Sequence, residues 1–108
     1  MANMTKPSPQ GFSARARIVK SLAHPTRLFI VDALSRKELC VCELTEMVGA
    51  DISTVSKHLT VLKSAGILKD RKQGLQVFYS LRCPCVLGFF KCVEGVLRSE
   101  RERMGAAA

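Results

Sequence analysis

Between Asp51 and Ala65, Ile52, Val55, Leu59 and Leu62 recur at i, i+3, i+7 and i+10, which places them on one face of a helix. Asp51 and Ser53 are its candidate N-caps, and Gly66 ends it. The period then changes. Ile67 to Lys72 and Leu75 to Leu81 suit two short strands joined at Gln73-Gly74. Upstream, Gly11 to Ala23 shows helical spacing, His24-Pro25 breaks it, and Pro25 opens a second helix to about Ser35. Glu38 to Leu44 leads into a short third helix through Met47, for which Gly49 is the terminator. A last helix starts near Pro84 and runs to about Arg103. The order is ααααββα: mainly α with a small β-hairpin. A short helix, a glycine-centred turn, a longer helix and a basic hairpin together predict a winged helix-turn-helix. Residues 1–10 are expected to form a flexible arm, 11–104 the domain, and 105–108 a frayed tail.

A chain of 108 residues has interior enough for one domain only. Its charge is unevenly placed. Residues 32–51 hold Asp32, Glu38, Glu43, Glu46 and Asp51 against Arg36 and Lys37, so this window is net −3 and the rest, given +8 overall, bears +11. A basic surface with one acidic interruption suits a protein that lays one side on a polyanion. The apolar runs are too short to span a membrane, and the polar stretch from Met1 to Gln10 does not resemble a secretory signal. A cytoplasmic protein with no membrane partner is expected.

With Val55, Leu59 and Leu62 committed inward, the opposite face of the longer helix offers Ser53, Thr54, Ser56, Lys57 and His58. Hydroxyls, amines and imidazoles at a helix N-terminus can donate to phosphates and base edges in a major groove. Arg71, Lys72 and Gln73 at the hairpin add cations and an amide for a neighbouring backbone. Each group alone also suits an ordinary solvated surface; together they predict binding of double-stranded DNA. In the last helix Val86, Phe89, Phe90, Val93 and Leu97 span a wide apolar arc. With Phe12 of the first helix they form the expected face of a homodimer, since helical DNA readers commonly pair to match palindromic half-sites.

Five cysteines occur as Cys40-Val41-Cys42, Cys83-Pro84-Cys85 and Cys92. In a reducing cytosol, close pairs point to metal binding or thiol chemistry rather than a disulfide scaffold. Thiolates select soft ions: As(III), Cd(II), Pb(II), Cu(I) or Zn(II). Two sulfurs on one ion lie at most ~4.6 Å apart if each bond is near 2.3 Å. On a regular helix Cys40 and Cys42 would point about 200° apart. They can therefore chelate together only if Cys40 precedes the helix or the first turn unwinds. Either way, chelation would deform an element packed on the reading helix. The helix N-terminus is expected to lower the thiol pKa. Pro84 places Cys85 in the first turn of the last helix, and Cys92, about 10.5 Å further along the axis, reads as a small buried residue of its stripe.

With Glu38-Leu39-Cys40-Val41-Cys42-Glu43-Leu44 in view, the chain resembles the ArsR/SmtB family of metal-responsive winged-helix repressors. Further matching segments are Ala23 to Arg27, Ser53 to Leu59 (STVSKHL) and Asp70 to Gly74, within about residues 14–82. The resemblance implies a homodimer, not an enzyme, that holds operator DNA without metal and leaves it when Cys40 and Cys42 bind an ion. Arsenite-responsive members often have a third cysteine where this chain has Thr45. The family's last-helix zinc ligands are Asp, His and Glu, and that region here has Cys83, Cys85 and Cys92. The expected inducer is As(III), with Cd(II), Pb(II) or Zn(II) as alternatives and a later cysteine supplying extra sulfur. A thiol-redox or persulfide sensor would use the same residues without metal. No thioredoxin-like βαβ pattern surrounds either pair, and no protein substrate is implied.

Overall fold

A computed structural model describes residues 9–107. Helix α1 (Pro9–Leu22) is followed by α2 (Pro25–Leu34), whose Pro25 occupies the first turn. The His24 side chain caps α2, its Nδ1 accepting from the Thr26 N–H at 3.1 Å. Then come a two-residue strand β1 (Leu39–Cys40), helices α3 (Val41–Val48) and α4 (Ile52–Ser64), strands β2 (Leu68–Gln73) and β3 (Gln76–Leu81), and helix α5 (Val86–Ala107).

The core forms where α2, α3, α4 and the sheet converge. Ile30, Val31, Leu44, Val55, Leu59 and Leu62 are fully buried there. The α3–α4 turn depends on Gly49, whose φ of 77° is a left-handed conformation costly for any residue with a Cβ. The hairpin closes through Gly74-Leu75, one residue later than the sequence suggested, with Gln73 paired to Gln76. Gly74 takes the positive φ, 63°, at the first turn position, as in a type II′ turn.

Four sequence expectations require correction. The hairpin is part of a three-stranded antiparallel sheet of order β1-β3-β2, because Leu39 and Cys40 pair with Tyr79 and Phe78. Two residues are too few for periodicity to register as a strand. Helix α5 begins at Val86: Pro84 and Cys85 form a preceding turn, with the Val86 N–H donating to the Cys83 carbonyl. It continues to Ala107, so Gly105–Ala107 are helical rather than frayed. Pro9 and Gln10 belong to α1; the rest of the expected arm lies outside the described residues.

Candidate nucleic-acid interface and thiol pair

Helix α4 presents Ser53, Thr54 and Lys57 exposed and Ser56 half-buried, as the periodicity required. Two of these hydroxyls have local partners. Ser53 Oγ and Thr54 Oγ1 both donate to the Asp51 carboxylate, the latter at 2.6 Å, and hold its pKa down to about 2. Any DNA contact made by either hydroxyl competes with that carboxylate. His58 turns inward: it is half-buried, its ring 4.4 Å from that of His24, and its Nδ1 accepts from Arg27 Nε at 3.1 Å. Burial, then the nearness of His24 and Arg27, lowers its pKa. Only its other ring nitrogen remains for a ligand.

The wing is less free than its composition suggested. Arg71 grips Glu38 through Nε and a terminal nitrogen at 3.3 and 2.5 Å, donates to Gln73 at 2.6 Å, and lies 4.8 Å over the Phe78 ring. That hydrogen bond, strengthened by the guanidinium charge, lowers the Glu38 pKa. Lys63 of α4 pairs with Asp70 at 2.8 Å. Lys72 remains exposed at the hairpin. These partners lie 33 and 7 residues apart in sequence, beyond the reach of local pattern.

One precondition for joint chelation is present: Cys40 lies before α3, in extended conformation (φ −82°, ψ 162°), and is its N-cap. Its sulfur accepts from the Glu43 N–H at 3.4 Å while the Cys40 N–H donates to Glu43 Oε1 at 3.1 Å. This is a capping box with sulfur where a hydroxyl usually stands. Cys40 is buried and Cys42 exposed; both are free thiols. The expectation of a lowered pKa is corrected for Cys40. The Glu43 N–H pulls it down, but burial, the Glu43 carboxylate and Cys42 together raise it.

Cys83, Cys85 and Cys92 are all exposed, so Cys92 is not the buried stripe residue expected. Most of the α5 stripe is left open by the chain's own core, so position in it does not ensure burial. Among the described residues, no three His, Cys, Asp or Glu side chains converge as a metal site within the chain. The two-sulfur set suits a soft ion but is one donor short of three.

Part of the expected dimer face is exposed in the chain. Phe89, Val93 and Leu97 are exposed on α5, with Phe12, Ile18 and Val19 on α1. Val19, Leu28, Phe89, Val93 and Leu97 line one apolar groove of about 450 Å³. Val86 is not free for a partner: it is buried in the chain's own core, and Phe90 is half-buried against that core. The start of α5 is the part that anchors it. No helix among the described residues is long and apolar enough to cross a membrane.

Short helix, glycine turn, longer helix and wing define a winged helix-turn-helix. The model of the bacterial regulatory protein arsR family matches residues 24–70. The arsenical resistance operon repressor of Escherichia coli (strain K12) is 38% identical over 91 residues, which cover 83% of this chain and 78% of that one. The chain belongs to the arsR family. A CadC homologue from Staphylococcus aureus, a cadmium resistance transcriptional regulatory protein, is 43% identical over 61% of this chain, and a transcriptional repressor SmtB homologue from Synechocystis is 38% identical over 70%. The chain spans 55% and 58% of the lengths of those two relatives. A possible ArsR-family regulator from Mycobacterium bovis, described as a homodimeric winged helix-turn-helix DNA-binding domain, superposes with TM-score 0.77 at 29% identity, covering 95% of each chain.

Proposed function

We propose that this chain is a transcriptional repressor that holds operator DNA as a homodimer and releases it when Cys40 and Cys42 bind a thiophilic ion. The observation behind this reading is the double duty of Cys40. Its sulfur is a ligand of the proposed pair and also the N-cap of α3, the first helix of the helix-turn-helix. Ligation withdraws that sulfur from the Glu43 N–H, and the cap then loses about 1 kcal/mol, the usual worth of such a bond. Helix α3 packs on α4, and β1 pairs with β3 of the wing, so strain at Cys40 reaches both DNA-facing elements.

As(III) is the proposed inducer, with Cd(II) and Pb(II) next. Its preference for three sulfurs assigns the third to Cys83, Cys85 or Cys92, across the dimer, because Thr45 leaves the local box short. The names of the relatives support an arsenic or cadmium response in this family. The paired apolar faces of α1 and α5 are the proposed dimer seam, matching the homodimeric state described for the mycobacterial domain.

The test is release of a fluorescent operator duplex by the reduced protein on adding arsenite, Cd(II) or peroxide. Cys40→Ser is the informative variant, because serine is itself a good N-cap and α3 should stay folded. Cys40→Ser and Cys42→Ser should each bind operator like wild type and fail to release it with arsenite. Release that persists in both variants would move the inducing site elsewhere, and release by peroxide alone would establish a thiol-redox sensor.

A further inference from the structure

The junction of α1 and α4 holds cations that, among the described residues, join no ion pair. Helix α1 contains Arg15, Arg17 and Lys20 and no acidic residue. Arg17 and Lys20 are exposed, and among the described residues neither joins any of the ion pairs. With Arg27, Thr60 and Ser64 they line a groove of about 430 Å³ that no carboxylate enters. Arg27 is held rigidly there, donating through Nε to His58 and through a terminal nitrogen to the Ser21 carbonyl at 3.1 Å each.

This groove continues the face proposed to read DNA. At 100° per residue, Ser53, Lys57, Thr60 and Ser64 fall within an arc of roughly 60° and extend along about 16 Å of the α4 axis. The stripe begins at the helix N-terminus and runs directly into the basic groove. A helix lying in a major groove is flanked by phosphate strands. Arginine, lysine and serine or threonine hydroxyls are the groups that hold phosphates. By contrast, Arg71 and Lys63 already face Glu38 and Asp70.

We propose that the α1–α4 groove, through Arg17 and Lys20, is a second duplex contact. It would seat the phosphate strand that flanks the major groove entered by α4. The proposal rests on the reading that α4 enters DNA. Its occupant is the backbone of the same duplex, so it adds affinity without sequence preference. Two cations per protomer predict about four counterions' worth of salt dependence in a dimer, at about 0.9 in slope for each phosphate.

The experiment measures fluorescence anisotropy of a labelled random-sequence duplex of about 30 base pairs, titrated with the full reduced chain over a range of KCl concentrations. In Arg17→Ala/Lys20→Ala, the slope of log affinity against log salt should become shallower by about 3 to 4, with affinity at 0.1 M salt at least tenfold weaker. Arg17→Lys/Lys20→Arg, which keeps both charges, should behave as wild type. Arg98→Ala/Arg101→Ala removes two cations from distal α5 and should change the slope far less. Both target residues are exposed, so circular dichroism and thermal midpoint should match wild type. Should the double variant prove less stable, Arg17→Gln and Lys20→Gln singly should each show about half the slope change. Unchanged slope and affinity, or an equal effect from the remote pair, overturns the proposal while leaving DNA binding by α4 intact. Wild-type protein that binds no duplex at any salt overturns the DNA reading itself, and this groove with it.

Discussion

Helices α4 and α5 are both amphipathic, yet α4 covers all of its apolar face but Ile52 within the chain, while α5 leaves most of its own open. Val55, Leu59 and Leu62 are 0% exposed, enclosed by α2, α3 and the sheet. Along α5, Phe89, Val93 and Leu97 remain 40%, 41% and 48% exposed, and only Val86, Leu87 and Phe90 touch the core. The two stripes are alike in sequence because period reports that a face is apolar, not what will cover it. A face covered at home supports the fold. One left open at this size is fitted to a partner.

The largest effect should come from breaking the covered face. Leu59→Ala removes a fully buried side chain from the centre of the core and should cost about 2–5 kcal/mol. For a small domain that is a large part of total stability, and the urea midpoint should fall steeply. The second variant attacks the open face. Val93→Glu/Leu97→Glu should leave the helical signal of the core nearly unchanged while light scattering shows monomers at concentrations where wild type is dimeric. Phe90→Glu is a poorer probe, since Phe90 also packs on the core and its loss would mix unfolding with dissociation. If the α5 double variant stayed dimeric, the seam would lie elsewhere and the contrast between the helices would lose its meaning.

The same distinction explains how much of the molecule was legible in the sequence. The helices, the helix-turn-helix turn at Gly49 and the wing were readable because period, caps and glycines act over a few residues. The placement of Cys40 before α3 was among the arrangements the spacing allowed. Beyond reach were interactions joining distant segments: Arg71 with Glu38, His58 with Arg27, and β1 with β3. The first two change the role of a residue whose helix or strand was read correctly. Arg71 is at the wing as expected, but the acidic window that looked like a bare interruption of charge reaches across to hold it.

That pairing gives a third prediction, smaller than the first two. Glu38→Gln keeps the side chain's shape but weakens its hold on Arg71, freeing a guanidinium three residues in sequence from the exposed Gly74. Random-sequence duplex affinity should rise a few-fold and its salt slope steepen by up to about 1 per protomer, measured by anisotropy. Arg71→Ala in the Glu38→Gln background should abolish the gain. If Glu38→Gln changed nothing, Arg71 would already be exchanging freely between Glu38 and DNA.

The smallest effect concerns how α4 begins, and it again separates the two helices. Neither has an acidic residue in its first turn, but α4 is preceded by Asp51, whose ionised carboxylate accepts from Ser53 and Thr54. Those hydroxyl bonds lower its pKa from 3.8 to about 2 in the folded chain. A carboxylate with a depressed folded pKa adds stability that is complete above its unfolded value and lost as pH falls through the folded one. The stability difference between wild type and Asp51→Asn should therefore stay constant from neutral pH down to about 5 and shrink between about 4 and 2. Urea midpoints of the two proteins, taken at matched pH steps, measure it directly. Because Asp51 is exposed, the change should be modest and should diminish with added salt. A difference that does not vary with pH would mean that Ser53 and Thr54 spend their time in solvent. Their hydroxyls would then be available to DNA without first leaving the carboxylate.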